Sequence, residues 1–489
     1  MSKNCQLLVC DCVKSMSVDE KNLLEISQSE SVIKTTNLCG DEINILEKSL
    51  QNFDQVIVTC QQQSVQFNDV KDEINQHAGT NKNLKTIDIR DRAGWSFDGA
   101  NENLINAKQG ALFTEALLNQ PLTPVRDLVS SGICLVIGET DIAVYVAERI
   151  SSMLSVTCLL SDISDYIIPN ANFDIAAGNL RSASGTIGNF AVVVDDYAPL
   201  NMGGRGSLKF GEFINGAKSS CDLIFDLTTQ TSLFASPEKV DGYFKIDPTN
   251  NLEIEKKLFD LVQLIGSFEK PLYVKLNESL CAHSRASKIG CTKCIDVCPA
   301  GAIQAAGDFV NVSNDICAGC GSCAAVCPSG AISFDDPPFE FLLKRIQSLS
   351  ETFQKTTNIP PQLLIYETEF GQELIMLFAR YGRGLPPTMI PMSVAHIEGI
   401  GHTELLAAIT TGFSDVLVLK SPKTNSLTIN SELSIARAIL EGTNQDPNRI
   451  RVIDPRDPDE LDKFVYYPPS PPISTDAVLL LGGRRDITR

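Results

Sequence analysis

Between Cys281 and Pro328 the chain carries cysteines in two ordered runs. The second run reads Cys317-x2-Cys320-x2-Cys323-x3-Cys327-Pro328, the full spacing that ligates iron–sulfur clusters. Three thiolates so spaced wrap one cluster, and the fourth, just ahead of a proline, crosses to a neighbouring one. The first run, Cys291-x2-Cys294-x3-Cys298-Pro299, has the last three positions only. The missing position falls on Lys288, which cannot ligate iron; Cys281 is its expected replacement, brought back by a loop from Ala282 to Gly290. One cluster then takes Cys317, Cys320, Cys323 and the crossing Cys298. The other takes Cys291, Cys294, the crossing Cys327 and Cys281. A zinc module or disulfide pairs would also use cysteines, but two copies, each closed by Cys-Pro, are much more specific than a single CxxC. At the Cys281 position, water, a non-cysteine ligand or a three-iron cluster stays open.

The repeat extends past the crossing cysteines. CPAGAI and CPSGAI sit at matching places in the two runs. Their glycines let backbone N–H groups approach cluster sulfur, and Ile303 and Ile332 are placed to keep water away; both effects tune potential. The stretch from 281 to 334 resembles the two-cluster bacterial ferredoxins. That resemblance implies two [4Fe–4S] clusters close enough to exchange electrons.

The elements that must position further cysteines come first in the chain. CQLLVCDC reads as a short buried strand with a turn carrying Cys10 and Cys12, and residues 19–30 as a polar helix. SVIKTTNLCG is a second strand ending at Cys39-Gly40. DEINILEKSLQNF has a helical apolar face at Ile43, Leu46, Leu50 and Phe53. QVIVTC is a third strand ending at Cys60. This β-α-β-α-β order predicts a small parallel α/β domain over residues 1–125, whose ligands belong at the carboxyl ends of its strands. Cys10, Cys12, Cys39 and Cys60 can meet there around a third cluster; the alternative is scattered buried cysteines without metal. Cys5, one strand position upstream, is a core or edge residue.

This region looks like the N-terminal domain of the A subunit of heterodisulfide reductase. There a CxC pair, a cysteine after a strand and a cysteine after a hydrophobic strand hold a four-iron cluster; those positions fall on Cys10, Cys12, Cys39 and Cys60. The family's later "IRE…SW" stretch falls on Ile89-Arg90-Asp91 and Trp95-Ser96, and its next helix on about Asn101–Leu118. The chain departs from the pattern after Cys60, where three glutamines stand in place of Ser-Pro.

Residues 126–280 are read as a Rossmann-like region plus a β-rich linker. ICLVIGETDIAVYVAERISSMLSVTCLL gives strand, turn, helix, strand, but Gly138 stands alone where a dinucleotide site needs GxGxxG. Glu139 and Asp141 would face the phosphates, so no nucleotide is expected. The heterodisulfide reductase A subunit has a flavin domain at this place; FAD is not carried over. Phe190–Val194, CDLIFD and Tyr273-Val274 have strand character, the last delivering Cys281, and about Leu252–Ile265 is helical. The glycine-rich NMGGRGSLKF, with Arg205, reads as a turn, and Cys221 as buried and inert. The β-structure of 185–280 is expected to pack against the ferredoxin segment, residues 281–336.

Residues 337–489 alternate strand and helix and predict another parallel sheet. They look, more weakly, like the domain shared by the small iron–sulfur hydrogenase subunit and some heterodisulfide reductase A subunits. In those, cysteines hold a two-iron cluster. Here Glu367 or a neighbour and Met392 fill the ligand positions, and no cysteine follows Cys327. The domain is therefore read as docking or scaffold. A rival is a metal or proton-relay site from His396, Glu398, His402 and Glu404. Pro468–Pro472 is a rigid spacer, and the tail DAVLLLGGRRDITR completes the sheet.

The 489 residues exceed one domain. The fold expected is multidomain α/β, parallel α/β domains flanking an inserted α+β two-cluster ferredoxin domain. A formal charge of −19 argues against nucleic acid and permits docking to a basic patch on a redox partner. Sixteen cysteines, many in ligand spacings, imply a reducing, cytoplasmic setting. The N-terminus has no signal-length apolar stretch, and no transmembrane segment is expected. The function read is an iron–sulfur electron-transfer protein, or the relay subunit of a larger oxidoreductase of formate dehydrogenase-like or heterodisulfide reductase-like kind, rather than an enzyme by itself. The alternatives are a non-redox assembly or maturation scaffold with structural clusters, or an oxidoreductase subunit binding flavin or nucleotide in the middle domain.

Overall fold

The computed structural model describes residues 4–96, 101–162, 172–201, 209–234, 237–285 and 288–473. The Arg205 loop and the tail beyond 473 lie outside the described residues.

The chain opens with β1 (Cys5–Cys10), α1 (Glu20–Ser27), β2 (Ser31–Thr35), α2 (Ile43–Asn52), β3 (Gln55–Val58), α3 (Ser64–Ala78) and β4 (Asn83–Thr86). The strands form one parallel sheet in the order β2-β1-β3-β4. Every residue of β1 is buried, as a strand covered on both faces requires. The first three strands are the expected ones, but β2 ends at Thr35 and β3 at Val58, so Cys39 lies beyond β2, where Asn37 and Gly40 turn the chain toward α2, and Cys60 lies beyond β3. The fourth strand and α3 belong to a polar stretch whose weak apolar period conceals them. A π-helical turn, Arg90–Gly94, and α4 (Glu102–Ala116) complete this part.

The middle of the chain contains β5 (Val125–Ser130), β6 (Ile133–Gly138), α5 (Thr140–Ile150), β7 (Ser155–Leu160), β8 (Asp174–Ser184), β9 (Phe190–Pro199), β10 (Ala217–Cys221), β11 (Leu223–Asp226), β12 (Tyr243–Lys245), α6 (Asn251–Val262) and β13 (Gly266–Pro271). One sheet runs β10-β9-β8-β7-β6-β11-β12, parallel from β12 to β8 and antiparallel through β9 and β10. The strands read as a separate β-rich linker thus extend the Rossmann-like sheet. β13 pairs with β5.

The cysteine segment has β14 (Val274–Leu276), β15 (Ser284–Arg285), β16 (Lys288–Ile289), α7 (Lys293–Asp296), β17 (Ile303–Ala306), β18 (Phe309–Val312), α8 (Ser322–Ala325) and β19 (Ile332–Phe334). β14 pairs with β19, so of the middle strands it is β14 that joins this module's sheet.

The remainder alternates α9 (Phe339–Thr356), β20 (Gln362–Glu367), α10 (Thr368–Tyr381), β21 (Met389–Val394), α11 (His402–Thr410), β22 (Asp415–Leu419), α12 (Ser426–Gly442), β23 (Ile450–Ile453) and α13 (Pro458–Val465). Its parallel sheet has the order β21-β20-β22-β23. The fold is multidomain α/β. It comprises two compact units, 1–121 with 320–330 and 337–489, and 122–319 with 331–336. In the first, Leu104, Ala107, Ala111 and Leu112 of α4 share one core with Ile346, Leu349 and Phe353 of α9 and with β20–β22. No helix among the described residues is long and apolar enough to cross a membrane.

Candidate metal centre

The two cysteine runs adopt the same local backbone. Cys294 is the second residue of α7 and Cys323 the second of α8. After each short helix the next cysteine amide turns back, Cys298 N–H to Ile295 O and Cys327 N–H to Ala324 O, both at 3.3 Å. Then Gly301 N–H bonds Cys298 O and Gly330 N–H bonds Cys327 O, again at 3.3 Å, with both glycines at φ +66°. A left-handed φ is cheap for glycine alone, so the CPxGAI repeat follows from this turn. The Ala302 amide lies 3.3 Å from Cys298 Sγ and donates to it. Ile303 and Ile332 are 4% and 2% exposed, which fits the shielding role read from the repeat.

Cys281 follows a 3-10 turn, Glu278–Leu280. Beyond it the β15–β16 hairpin folds the chain back: Gly290 and Cys291 N–H bond His283 O, and His283 Nδ1 lies 2.8 Å from Cys291 O. His283, two residues past Cys281, is thereby held against Gly290 and Cys291. Cys317 N–H bonds Ser313 O, and a Cβ on Gly319, at φ +70°, would meet the Tyr273 ring at 2.7 Å. Position 319 therefore takes glycine alone. Cys320 and Cys323 are buried; Cys281, Cys291, Cys294, Cys298, Cys317 and Cys327 are half-buried.

At the carboxyl edge of the N-terminal sheet, Cys10 ends β1 and donates its thiol to Thr36 O at 3.5 Å. Cys12, Val13 and Lys14 all have φ between +52° and +60°, a conformation that costs each non-glycine residue about 1–3 kcal/mol. The Val13 amide on Thr36 O at 2.7 Å and the Lys14 amide on Asp11 Oδ1 at 2.9 Å offset that cost and hold Cys12 at the sheet edge. Arg90 Nη1 donates to Cys12 Sγ at 3.3 Å, its guanidinium lies 4.1 Å over the Trp95 ring, and Nε bonds Asp91 at 2.8 Å. Burial opposes the Arg90 charge, but Asp91 and Cys12 outweigh it and raise its pKa. Cys60 is pushed up to about 11, first by burial, against the Gln63 and Gln62 amides and Arg90, which favour the thiolate, with Cys10 adding to the rise. Cys12 and Cys60 thus share one cation, and Cys10 lies close enough to Cys60 to act on its charge. Cys39 is exposed on the loop after β2, its Sγ 3.9 Å from Asn37 Oδ1. Glu42 pins that loop by accepting the Thr36 and Asn37 amides at 2.6 Å. The glutamines after Cys60 supply amides to its sulfur, and Gln62 Nε2 bonds Asp91 at 2.7 Å. The part Arg90 plays is not readable from spacing, because it is 30 residues from Cys60 in sequence.

Cys5 is buried in the core. Burial pushes Cys158 and Cys221 up to about 12 and Cys134 higher still. Their thiols are therefore neutral in the folded chain until well above the ordinary range. The stability this gives is fully present below the unfolded pKa, near 9, and is lost as pH rises toward 12. At pH 8 a thiol reagent is expected to leave these three unlabelled in the native protein and to label all three in denaturant. Native labelling would show that the middle sheet opens.

At the β6–α5 turn the surroundings are set by Asp162 and Leu227. Thr140 N–H, at the helix N-terminus, bonds Asp162 Oδ1 at 2.7 Å, and a Cβ on Gly138 would meet Leu227 Cβ at 3.0 Å. In the C-terminal sheet, the four-residue rival site divides. His402 Nδ1 lies 2.6 Å from Glu432 Oε2, and Glu404 Oε2 accepts the Gly401 amide at 2.9 Å. His396 and Glu398 instead come together with Glu367.

Against known families, residues 289–336 match the model of the LdpA Fe-S cluster-binding domain. The chain carries an iron–sulfur cluster-binding module in this segment. No curated protein matches the chain.

Proposed function

We propose that the chain is an electron carrier, acting alone or as the relay subunit of a larger oxidoreductase. Cys281, Cys291, Cys294, Cys298, Cys317, Cys320, Cys323 and Cys327 hold two [4Fe–4S] clusters in a ferredoxin-like module. Cys10, Cys12, Cys39 and Cys60 hold a third. Such clusters, when bound, supply reversible one-electron chemistry. The observation that carries the reading is the duplicated cysteine turn inside the segment that matches an iron–sulfur domain. The residues fit the group: the Ala302 amide donates to the Cys298 sulfur, and Ile303 and Ile332 exclude water beside the crossing cysteines. At the N-terminal edge, Arg90 and the Gln62 and Gln63 amides favour thiolate charge.

The acidic balance of −19 suits docking to a basic face of a redox protein, and open thiolates suit a reducing cytoplasm. The heterodisulfide reductase likeness of residues 1–125 and the formate dehydrogenase-like or heterodisulfide reductase-like partner belong to this proposal. Flavin has no place in it, since Asp162 already occupies the helix N-terminus where a pyrophosphate would sit.

Redox titration of the anaerobic protein followed by EPR tests the carrier role. Carriers show reversible one-electron couples within reach of a biological reductant. Clusters that stay oxidised under every such reductant, in a protein whose partner binding survives their removal, would establish the scaffold instead.

A further inference from the structure

The two parallel sheets of the first unit share one topology. In β2-β1-β3-β4 and in β21-β20-β22-β23 the first strand is flanked by the second and the third. The carboxyl edge of the N-terminal sheet presents cysteines. The same edge of the C-terminal sheet presents Glu367, the last residue of β20, and His396 and Glu398, just past β21. One ligand atom from each of these three lies within 4.8 Å of the others. His396 Nδ1 is 3.3 Å from Glu367 Oε1. This is not a solvated acidic surface: Glu398 is 1% exposed, and the side chains of Glu367 and His396 are 14% and 36% exposed.

The positions are held by their surroundings. Thr368 Oγ1 donates to Val394 O at 3.1 Å, tying the end of β20 to the end of β21. Glu398 Oε1 accepts the Asn425 amide at 3.1 Å, at the start of α12. Gly399 packs against the backbone of Cys320 and Gly321, where a Cβ would come within 3.6 Å of Cys320 O. Two carboxylates converging away from water repel each other, and a divalent cation between them removes that repulsion.

We propose that Glu367, His396 and Glu398 bind one divalent metal ion of the zinc, manganese or ferrous class, distinct from the iron–sulfur clusters. Two carboxylate oxygens and one imidazole nitrogen suit these ions and not cuprous copper, which prefers sulfur. Three protein ligands leave a coordination position for water or a small ligand.

The test uses the full chain, purified anaerobically, with iron and sulfide measured. Mn2+ is titrated and followed by loss of the free-ion EPR signal, and Zn2+ is then added as competitor. One Mn2+ per chain, displaced by Zn2+, is expected. His396→Ala and the isosteric Glu398→Gln should each weaken binding by about tenfold or more, with iron, sulfide and circular dichroism unchanged. Glu369→Gln, two residues from Glu367 and with a side chain 88% exposed, should bind as the parent does. The proposal is overturned if the parent chain binds neither ion stoichiometrically. It is also overturned if Mn2+ binding by properly folded His396→Ala and Glu398→Gln equals that of the parent.

Discussion

Anaerobically purified protein is expected to carry about twelve iron atoms and about twelve sulfides per chain, and Cys60→Ser to remove about four of each. Cys60 is the informative position because the structure surrounds its sulfur with groups that favour a thiolate and yet buries it. The Gln62 and Gln63 amides and Arg90 lower its pKa; burial and Cys10 raise it to about 11. Without metal that thiol is protonated at neutral pH. With metal it ionises, and the amides and Arg90 are already in place to meet the charge. The substituted chain should keep about eight iron atoms and the EPR signals of the module between Cys281 and Cys327. About eight iron atoms in the parent, unchanged by Cys60→Ser, would refute the N-terminal cluster and leave the module intact.

Glu115→Ala is expected to cost about 3–5 kcal/mol. Glu115, on α4, is buried between two guanidinium groups. Arg345 of α9 reaches its Oε1 through Nε at 2.9 Å and Nη2 at 2.7 Å, and Arg92 Nη2 lies 3.5 Å from its Oε2. Arg92 also donates to Pro391 O at 2.6 Å, and Arg345 to Ser393 O at 2.7 Å, so the trio ties α4 and α9 to β21. Lys108 adds to the crowding. It is fully buried, and burial, with Arg92 second, pushes its amine well below the ordinary lysine range. Removing the carboxylate takes the paired countercharge from Arg345 and leaves Arg92 only the more distant Asp88, which costs far more than loss of a surface pair. Denaturant unfolding followed by the chain's single tryptophan, Trp95, measures this in the unit that contains it. A loss under about 1 kcal/mol would show that apolar packing of α4 on α9 carries that contact.

The ligand runs, the sites of most strands and helices, and the departure from a nucleotide fingerprint were legible without coordinates. Each depends on short-range spacing: repeated CxxC runs closed by Cys-Pro are the pattern of an iron–sulfur module, and a period of 2 or 3.6 names its own element. The placement of Cys10, Cys12 and Cys60 at or just past strand ends was legible for the same reason, since β1 and β3 are strongly apolar; Cys39 was expected to end β2, which stops at Thr35 and leaves it in a turn. The fourth strand of that sheet was not legible, because Asn83–Thr86 carries a lysine and a threonine in four residues and owes its pairing to β3. Nor was the joining of strands from 174 to 245 into one sheet with β6 and β7, which depends on pairing partners far apart in sequence.

Tertiary structure alone decided which polar residues meet. His396 and Glu398 looked like partners of His402 and Glu404 because they are near in sequence. Yet the turn after β21 points the first pair at Glu367, while α12 supplies Glu432 to His402. Arg90 reaches Cys12 across 78 residues and Arg345 reaches Glu115 across 230. A side chain's charge and length are local properties, so the sequence by itself determined that 289–336 is an iron–sulfur module. Which counterion, amide or second carboxylate stands opposite a given residue depends on how parallel strands are ordered, and that order is set by long-range packing.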